Sequence, residues 1–176
     1  MPSSMSLQIV QAGLRQYKNE DILLLGGYSR SGSTPPGTVG AGFAAFDARR
    51  FAAGETAQSA RLGDVQVFLL QPQLQLFHGL VNIEVQPDLR RRGIGRRIIS
   101  SIAATAPDCL LTIYDIQEPA VPFWIRMGCT FHPRPPAWDA HFRLRPERAE
   151  RTHAPPPDEA GLIPASHPRP GDRSPD

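Results

Sequence analysis

The sequence predicts a mixed α/β fold, and three features predict it. The first half is a succession of short apolar runs set off by glycine, serine and proline, which reads as strands. At Gly93 the apolar spacing changes to a recurrence every four residues, the mark of a helix. At Cys109 a largely apolar run returns, so a strand, a helix and a strand follow one another within about forty residues. Such a unit joins two parallel strands by a right-handed crossover.

The elements follow in order. "ILLLGGY" (22–28) reads as a buried strand closing on glycines, and the chain before it has room for one short strand or helix. "SRSGSTPPG" (29–37) is a loop by composition. "TVGAGFAAFDA" (38–48) is extended, anchored by Val39, Phe43 and Phe46, and pairs with the preceding strand as a hairpin. Residues 52–64 read as a surface connection. "VQVFLLQ" (65–71) and "LFHGLVNIEV" (76–85) read as strands, the second central because so little of it is polar. Ile94, Ile98 and Ile102, with Ile99 beside them, make one face of a helix running to about Ala106 and ended by Pro107. "CLLTIY" (109–114) is the second buried strand. A second helix (118–127) stops at Gly128, and Pro122 predicts that it starts late. Residues 129–146 read as two closing strands with a Pro-rich crossing. From 147 on, few large apolar residues and many prolines predict a disordered tail, which leaves residues 1–146 as the folded domain.

The 176 residues suit one domain with a real core. A net charge of +2 is too mild to announce a nucleic-acid binder, although the basic charge is nearly all arginine, with Lys18 the one lysine. Cys109 and Cys129 fit neither a disulfide framework nor a CxxC metal site, and no metal is expected. The start lacks a signal peptide's apolar core, and runs such as "ILLL" and "VFLL" are too short to span a bilayer. A soluble cytoplasmic protein is the expectation.

Residues 85–99, "VQPDLRRRGIGRRII", crowd five arginines around two glycines where a strand gives way to a helix. A helix start exposes unpaired N–H groups with partial positive charge, and Gly93 and Gly95 let an anion approach that backbone. The spacing is neither a P-loop nor a full GxGxxG.

Arg90-Arg91-Arg92-Gly93-Ile94-Gly95 resembles the Arg/Gln-x-x-Gly-x-Gly/Ala motif of the GNAT N-acetyltransferases, and "EPAVPFWIRMGCTF" resembles that family's second signature helix. The two blocks and the strand between them cover roughly residues 75 to 131. The resemblance implies a mostly antiparallel central sheet flanked by helices, in which a parallel strand pair splays to admit acyl-CoA. Ile83, Glu84 and Val85 would pair with the pantetheine arm, the amides of Arg91 to Arg96 would hold the pyrophosphate with Arg90 beside them, and Gln117 stands where the family commonly carries an asparagine. Acetyl-CoA is the implied co-substrate and a small amine or a protein amine the acceptor; dimers are common in the family.

The chain departs from the family in its acid. The usual tyrosine is Trp124 here, whose indole N–H is a poor proton donor, and a strand glutamate used by one subfamily is Thr112. Glu84, a carboxylate in an apolar strand, is the base candidate, since burial would raise its pKa. The competing reading is that it points to solvent or pairs with an arginine. Tyr114 is the substitute acid, against a plain half-buried tyrosine. His78 could serve as base through a water, against a structural histidine. Cys109 and Cys129 read as core thiols, and Phe123 and Trp124 as packing against the cofactor strand. Three functions follow: an N-acetyltransferase, a degenerate domain that binds acyl-CoA or a partner without catalysis, and a nucleic-acid binder, which the low net charge argues against. Glu20, Asp21, Asp47 and Glu55 do not read as a convergent acidic pocket, so the acceptor is not specified.

Overall fold

The computed structural model describes residues 5–11, 14–28, 34–71, 76–134 and 137–145. Among them, nine strands form one sheet: β1 (Ser6–Gln11), β2 (Leu14–Lys18), β3 (Ile22–Tyr28), β4 (Thr38–Asp47), β5 (Arg61–Leu70), β6 (Phe77–Val85), β7 (Leu110–Ile116), β8 (Thr130–Arg134) and β9 (Ala137–Arg143). Their order is β1-β2-β3-β4-β5-β6-β7-β9-β8. Every neighbouring pair is antiparallel except β6 and β7, which are parallel. The mixed fold with a largely antiparallel sheet and one parallel pair is therefore as the sequence reads. The expected tail (147–176) lies outside the described residues.

The 22–28 and 38–47 runs form the expected hairpin, registered from Ile22↔Asp47 to Tyr28↔Ala41. Three stretches differ from the sequence reading. Two strands, not one element, precede β3, because the short run Leu14–Lys18 finds a partner on each side. The stretch read as a connection (52–64) holds α2 (Ala57–Ala60) and the first residues of β5, and α1 (Ala48–Ala52) takes the end of the run read as extended and the residues up to that connection. Caps, not apolar periodicity, hold these helices: the Asp47 carboxylate accepts from the N–H groups of Arg49 and Arg50, and Thr56 Oγ1 accepts from Ser59 N–H. Under them Leu23, Phe46, Ala48 and Ala60 form a small core of their own.

The main core lies where α3 (Ile94–Ala103) and α4 (Val121–Met127) cover the sheet. Ile98, Ile99, Ile102 and Ala103 are fully buried, so the helix lays the face read from the sequence onto β6 and β7. Tyr17, Phe43 and Phe77 interlock beneath it at ring separations of 5.0–5.2 Å. α4 starts at Val121, late as Pro122 predicts, and Gly128 ends it with φ 81°.

Asp47 also reaches across the fold. Its Oδ2 accepts from Arg97 of α3 at 2.8 Å, tying the end of β4 to the helix that carries the glycine loop. Burial pushes the Asp47 carboxyl upward, but the N–H groups of Arg50 and Arg49 and the Arg97 guanidinium outweigh it and hold the pKa below the usual carboxylate range. Asp47→Ala is expected to cost about 2 kcal/mol in urea unfolding at neutral pH, from a lost cap and a half-buried arginine left unpaired. A depressed folded pKa means stabilisation present above the ordinary carboxylate pKa and lost as pH falls through the folded value, so the gap between variant and parent should narrow in acid.

Gly26 sets a harder limit. A Cβ there would drive into the carbonyl of Gly42 and lie 2.8 Å from Phe43 Cα, and both are backbone in the middle of the sheet. Gly26→Ala is expected to cost about 3 kcal/mol, lowering the Tm by roughly 10 °C.

Candidate functional site

The parallel pair β6–β7 is registered at only two positions, Gly79↔Thr112 and Leu80↔Ile113. Beyond them the strands part, and two irregularities explain why. β6 slips register against β5 between Asn82 and Leu80. β7 slips against β9 between Ile113 and Ile116, where Asp115 takes φ 53°. A bulge inserts a residue and bends its strand, so each strand turns away from the other. The β7 bulge is held by the Asp115 N–H, which donates to Asp139 Oδ1 at 3.1 Å, and by Gln117 Nε2, which donates to the Asp115 carbonyl at 3.1 Å.

The splay opens onto the start of α3. Gly93 caps that helix with φ 76°, two residues after Arg91 at φ 61°. The first intrahelical bond runs from Arg97 N–H to the Gly93 carbonyl, so the N–H groups of Ile94, Gly95 and Arg96 lie ahead of it. Space for a Cβ at Gly93 is open, and one at Gly95 would stand 3.4 Å from Phe123 and 3.6 Å from Val85. Splay, helix start and α4 together enclose a cleft of about 620 Å³. Arg90, Arg91, Arg96 and Arg126 ring it; Val81, Ile83, Val85, Ile113, Phe123 and Trp124 give it apolar walls.

Of the expected site residues, Ile83, Val85, Arg90, Arg91, Gly93, Ile94, Gly95, Arg96, Tyr114 and Gln117 line this one cleft. Two do not. Arg92 is exposed and is not among the lining residues. Glu84 is a correction: its side chain is 66% exposed and faces Arg90 across 3.8 Å, so the buried base is not there and the competing solvent reading holds. The reason is strand parity. Val81, Ile83 and Val85 turn one way, and Asn82 and Glu84, the exposed pair, turn the other. The Glu84 backbone is engaged too, because Gln86 N–H donates to the Leu62 carbonyl on β5 and alternation turns Glu84 the same way. That leaves the N–H groups of Ile83 and Val85 and the Ile83 carbonyl facing the open side; the Val85 carbonyl accepts from Arg90 Nε at 3.0 Å.

Trp124 is 5% exposed, packs edge-on against Phe123 at 4.9 Å and lines the cleft. Tyr114 stands at the splay, one residue past the last β6–β7 pair. Its ring packs on Gly79 and edge-on against Phe68 at 5.3 Å, and its Oη lies 2.9 Å from His78 Nε2. Burial pulls the His78 pKa down, which favours the neutral ring. Burial also pushes the Cys129 thiol up to about 11, as suits a core thiol. Arg126 is a lining residue the sequence reading missed; it lies three residues after Phe123, and that helical spacing was the available signal.

Chemically, the cleft can seat an anion at its arginine-ringed end and an extended chain along the open edge of β6, with a phenol where the strands part. Among the described residues no helix is long and apolar enough to cross a membrane. Comparison with protein families finds no match, and comparison with curated proteins finds none. Among solved structures, an acetyltransferase from Thermus thermophilus is similar to this chain at 17% sequence identity with a TM-score of 0.40, over 62% of this chain and 64% of that one, less than two thirds of its length.

Proposed function

We propose that this chain is an acyl-CoA-dependent N-acyltransferase that moves an acetyl group from acetyl-CoA to a primary amine. One observation carries the reading: the β6–β7 splay and the glycine-opened start of α3 face a single cleft, with positive charge at one end and a free strand edge along its side. The GNAT-like glycine block supplies this helix start, and the fit to the cofactor is good in kind. The N–H groups of Ile94, Gly95 and Arg96, with Arg90, Arg91 and Arg126 near them, would hold the pyrophosphate. Ile83 and Val85 would pair with the pantetheine amides as an added strand does. Acyl-CoA would supply the thioester; Tyr114, at the point of divergence, would supply the proton the departing sulfur needs.

The test is calorimetric titration with acetyl-CoA, followed by thiol release over a panel of primary amines. Binding at micromolar concentration with release supports the reading; no binding overturns it. Binding with no release on any amine favours a domain that holds acyl-CoA without transfer, a reading that the replacement of the usual tyrosine by buried Trp124 supports.

A further inference from the structure

We propose that His78 and Tyr114 form a proton relay at the splay, His78 acting through the Tyr114 hydroxyl to take the proton that the incoming ammonium must lose. The inference rests on the acyl-transfer reading of the cleft. Three features on different strands support it. Tyr114 lines the cleft just beyond the last β6–β7 pair, whereas His78 stands behind it on β6 and does not line the cleft. Their Oη and Nε2 atoms are 2.9 Å apart, a hydrogen-bond length. The Tyr114 ring is held between Phe68 and Gly79, the one residue type that leaves room for it, so the hydroxyl is aimed and not merely near.

The surroundings suit a neutral acceptor. From β7 the titratable group facing His78 is Tyr114; on β5 the stretch alongside is Phe68 and Leu69, which carries no charge. Burial is what lowers the His78 pKa, with no charged partner contributing. A neutral imidazole at Nε2 accepts the phenol proton and can return it.

The proton count closes. Tyr114 Oη takes the first proton from the ammonium as its own passes to His78 Nε2. The amine nitrogen then bonds to the acyl carbon, and the C–S bond gives its electron pair to sulfur. Tyr114 carries the second nitrogen proton to that sulfur, and His78 releases the first to water. One ammonium and one thioester thus give one amide, one thiol and one proton. His78 is a positioning and proton-holding residue in this scheme, since only Tyr114 meets the reactants.

The test has two readouts. In the free protein, the ring-nitrogen NMR signals of His78 are followed against pH in the parent and in Tyr114→Phe. The expected parent signal is an unprotonated Nε2 accepting a bond, with a midpoint below the ordinary value of about 6.5, and removal of the hydroxyl shifts it. Unchanged His78 signals in Tyr114→Phe overturn the relay. The second readout is the pH dependence of kcat/KM for thiol release with whichever amine of the panel reacts. The parent should lose rate as pH falls through the His78 midpoint. His78→Gln, which can still accept a hydrogen bond but not a proton, should lose about 100-fold at neutral pH and lose that acid limb, with acetyl-CoA Kd unchanged within about twofold; Tyr114→Phe should lose the limb as well. An acid limb that survives in His78→Gln overturns the relay and leaves the acyl-transfer reading standing. Absence of acetyl-CoA binding in the parent overturns the acyl-transfer reading and the relay with it, whatever the NMR signals show.

Discussion

Gly95→Glu is expected to weaken acetyl-CoA binding by at least about 100-fold, equivalent to roughly 2.7 kcal/mol, while the protein stays folded. The expectation combines two positions of the same side chain. Gly95 lies within the first turn of α3, where backbone N–H groups have no helical partner, and it has no positive φ to defend. A Cβ there meets Phe123 and Val85 at 3.4 and 3.6 Å, which the flexible ends of those side chains can absorb. The carboxylate beyond that Cβ is another matter. It would enter the arginine-ringed end of the cleft, fill the seat and bring a negative charge to the place where a pyrophosphate needs none. Gly95→Ala is the control: it tests bulk without charge and should bind far better than the glutamate variant. Gly93→Glu should also abolish binding, but its φ of 76° strains any side chain, so stability must be measured beside affinity. Parent-like calorimetry for Gly95→Glu would falsify the assignment of this helix start as the anion seat.

The same stretch shows what the sequence can and cannot convey. The change of apolar period at Gly93 is a local signal, and α3 lies where it points, with Ile98, Ile99 and Ile102 all inside. β6 and β7 are equally plain because of their dense apolar runs. The bulges that part them are not legible. Nothing in the local pattern at Asp115 announces a left-handed φ, and the partner that steadies it, Asp139, lies 24 residues away. α1 and α2 escape for a related reason, since helices of five and four residues show no period and rest on the caps Asp47 and Thr56. The exposure of Glu84 is legible once strand parity is counted. Asn82 and Glu84 alternate with Val81, Ile83 and Val85, and a strand with one wet face puts the polar set outside. The pairing of His78 with Tyr114 crosses 36 residues and could be read only from the fold.

Tyr114→Phe is expected to lower amine-dependent thiol release by about 10²–10⁴-fold and leave acetyl-CoA affinity as it is. The change removes one oxygen from a ring whose packing on Phe68 and Gly79 does not use it, so the fold and the anion seat should be untouched. What it removes is the hydroxyl that Tyr114 shares with His78, from a residue that lines a cleft where Trp124 has no hydroxyl to offer and Glu84 stands outside. The same hydroxyl can be displaced instead of deleted. A Cβ at Gly79 would run into the Tyr114 ring and come within 3.0 Å of the Thr112 carbonyl, so Gly79→Ala must push the ring away from His78 or part the strands further. Turnover should fall in that variant too, now with a measurable loss of stability, because Gly79↔Thr112 is one of only two registered positions in the parallel pair. The two variants separate chemistry from architecture: equal loss of rate with unequal loss of Tm places the effect on the hydroxyl. Full rate in Tyr114→Phe would remove the phenol from the reaction and leave the splay as a binding site whose proton carrier is another group.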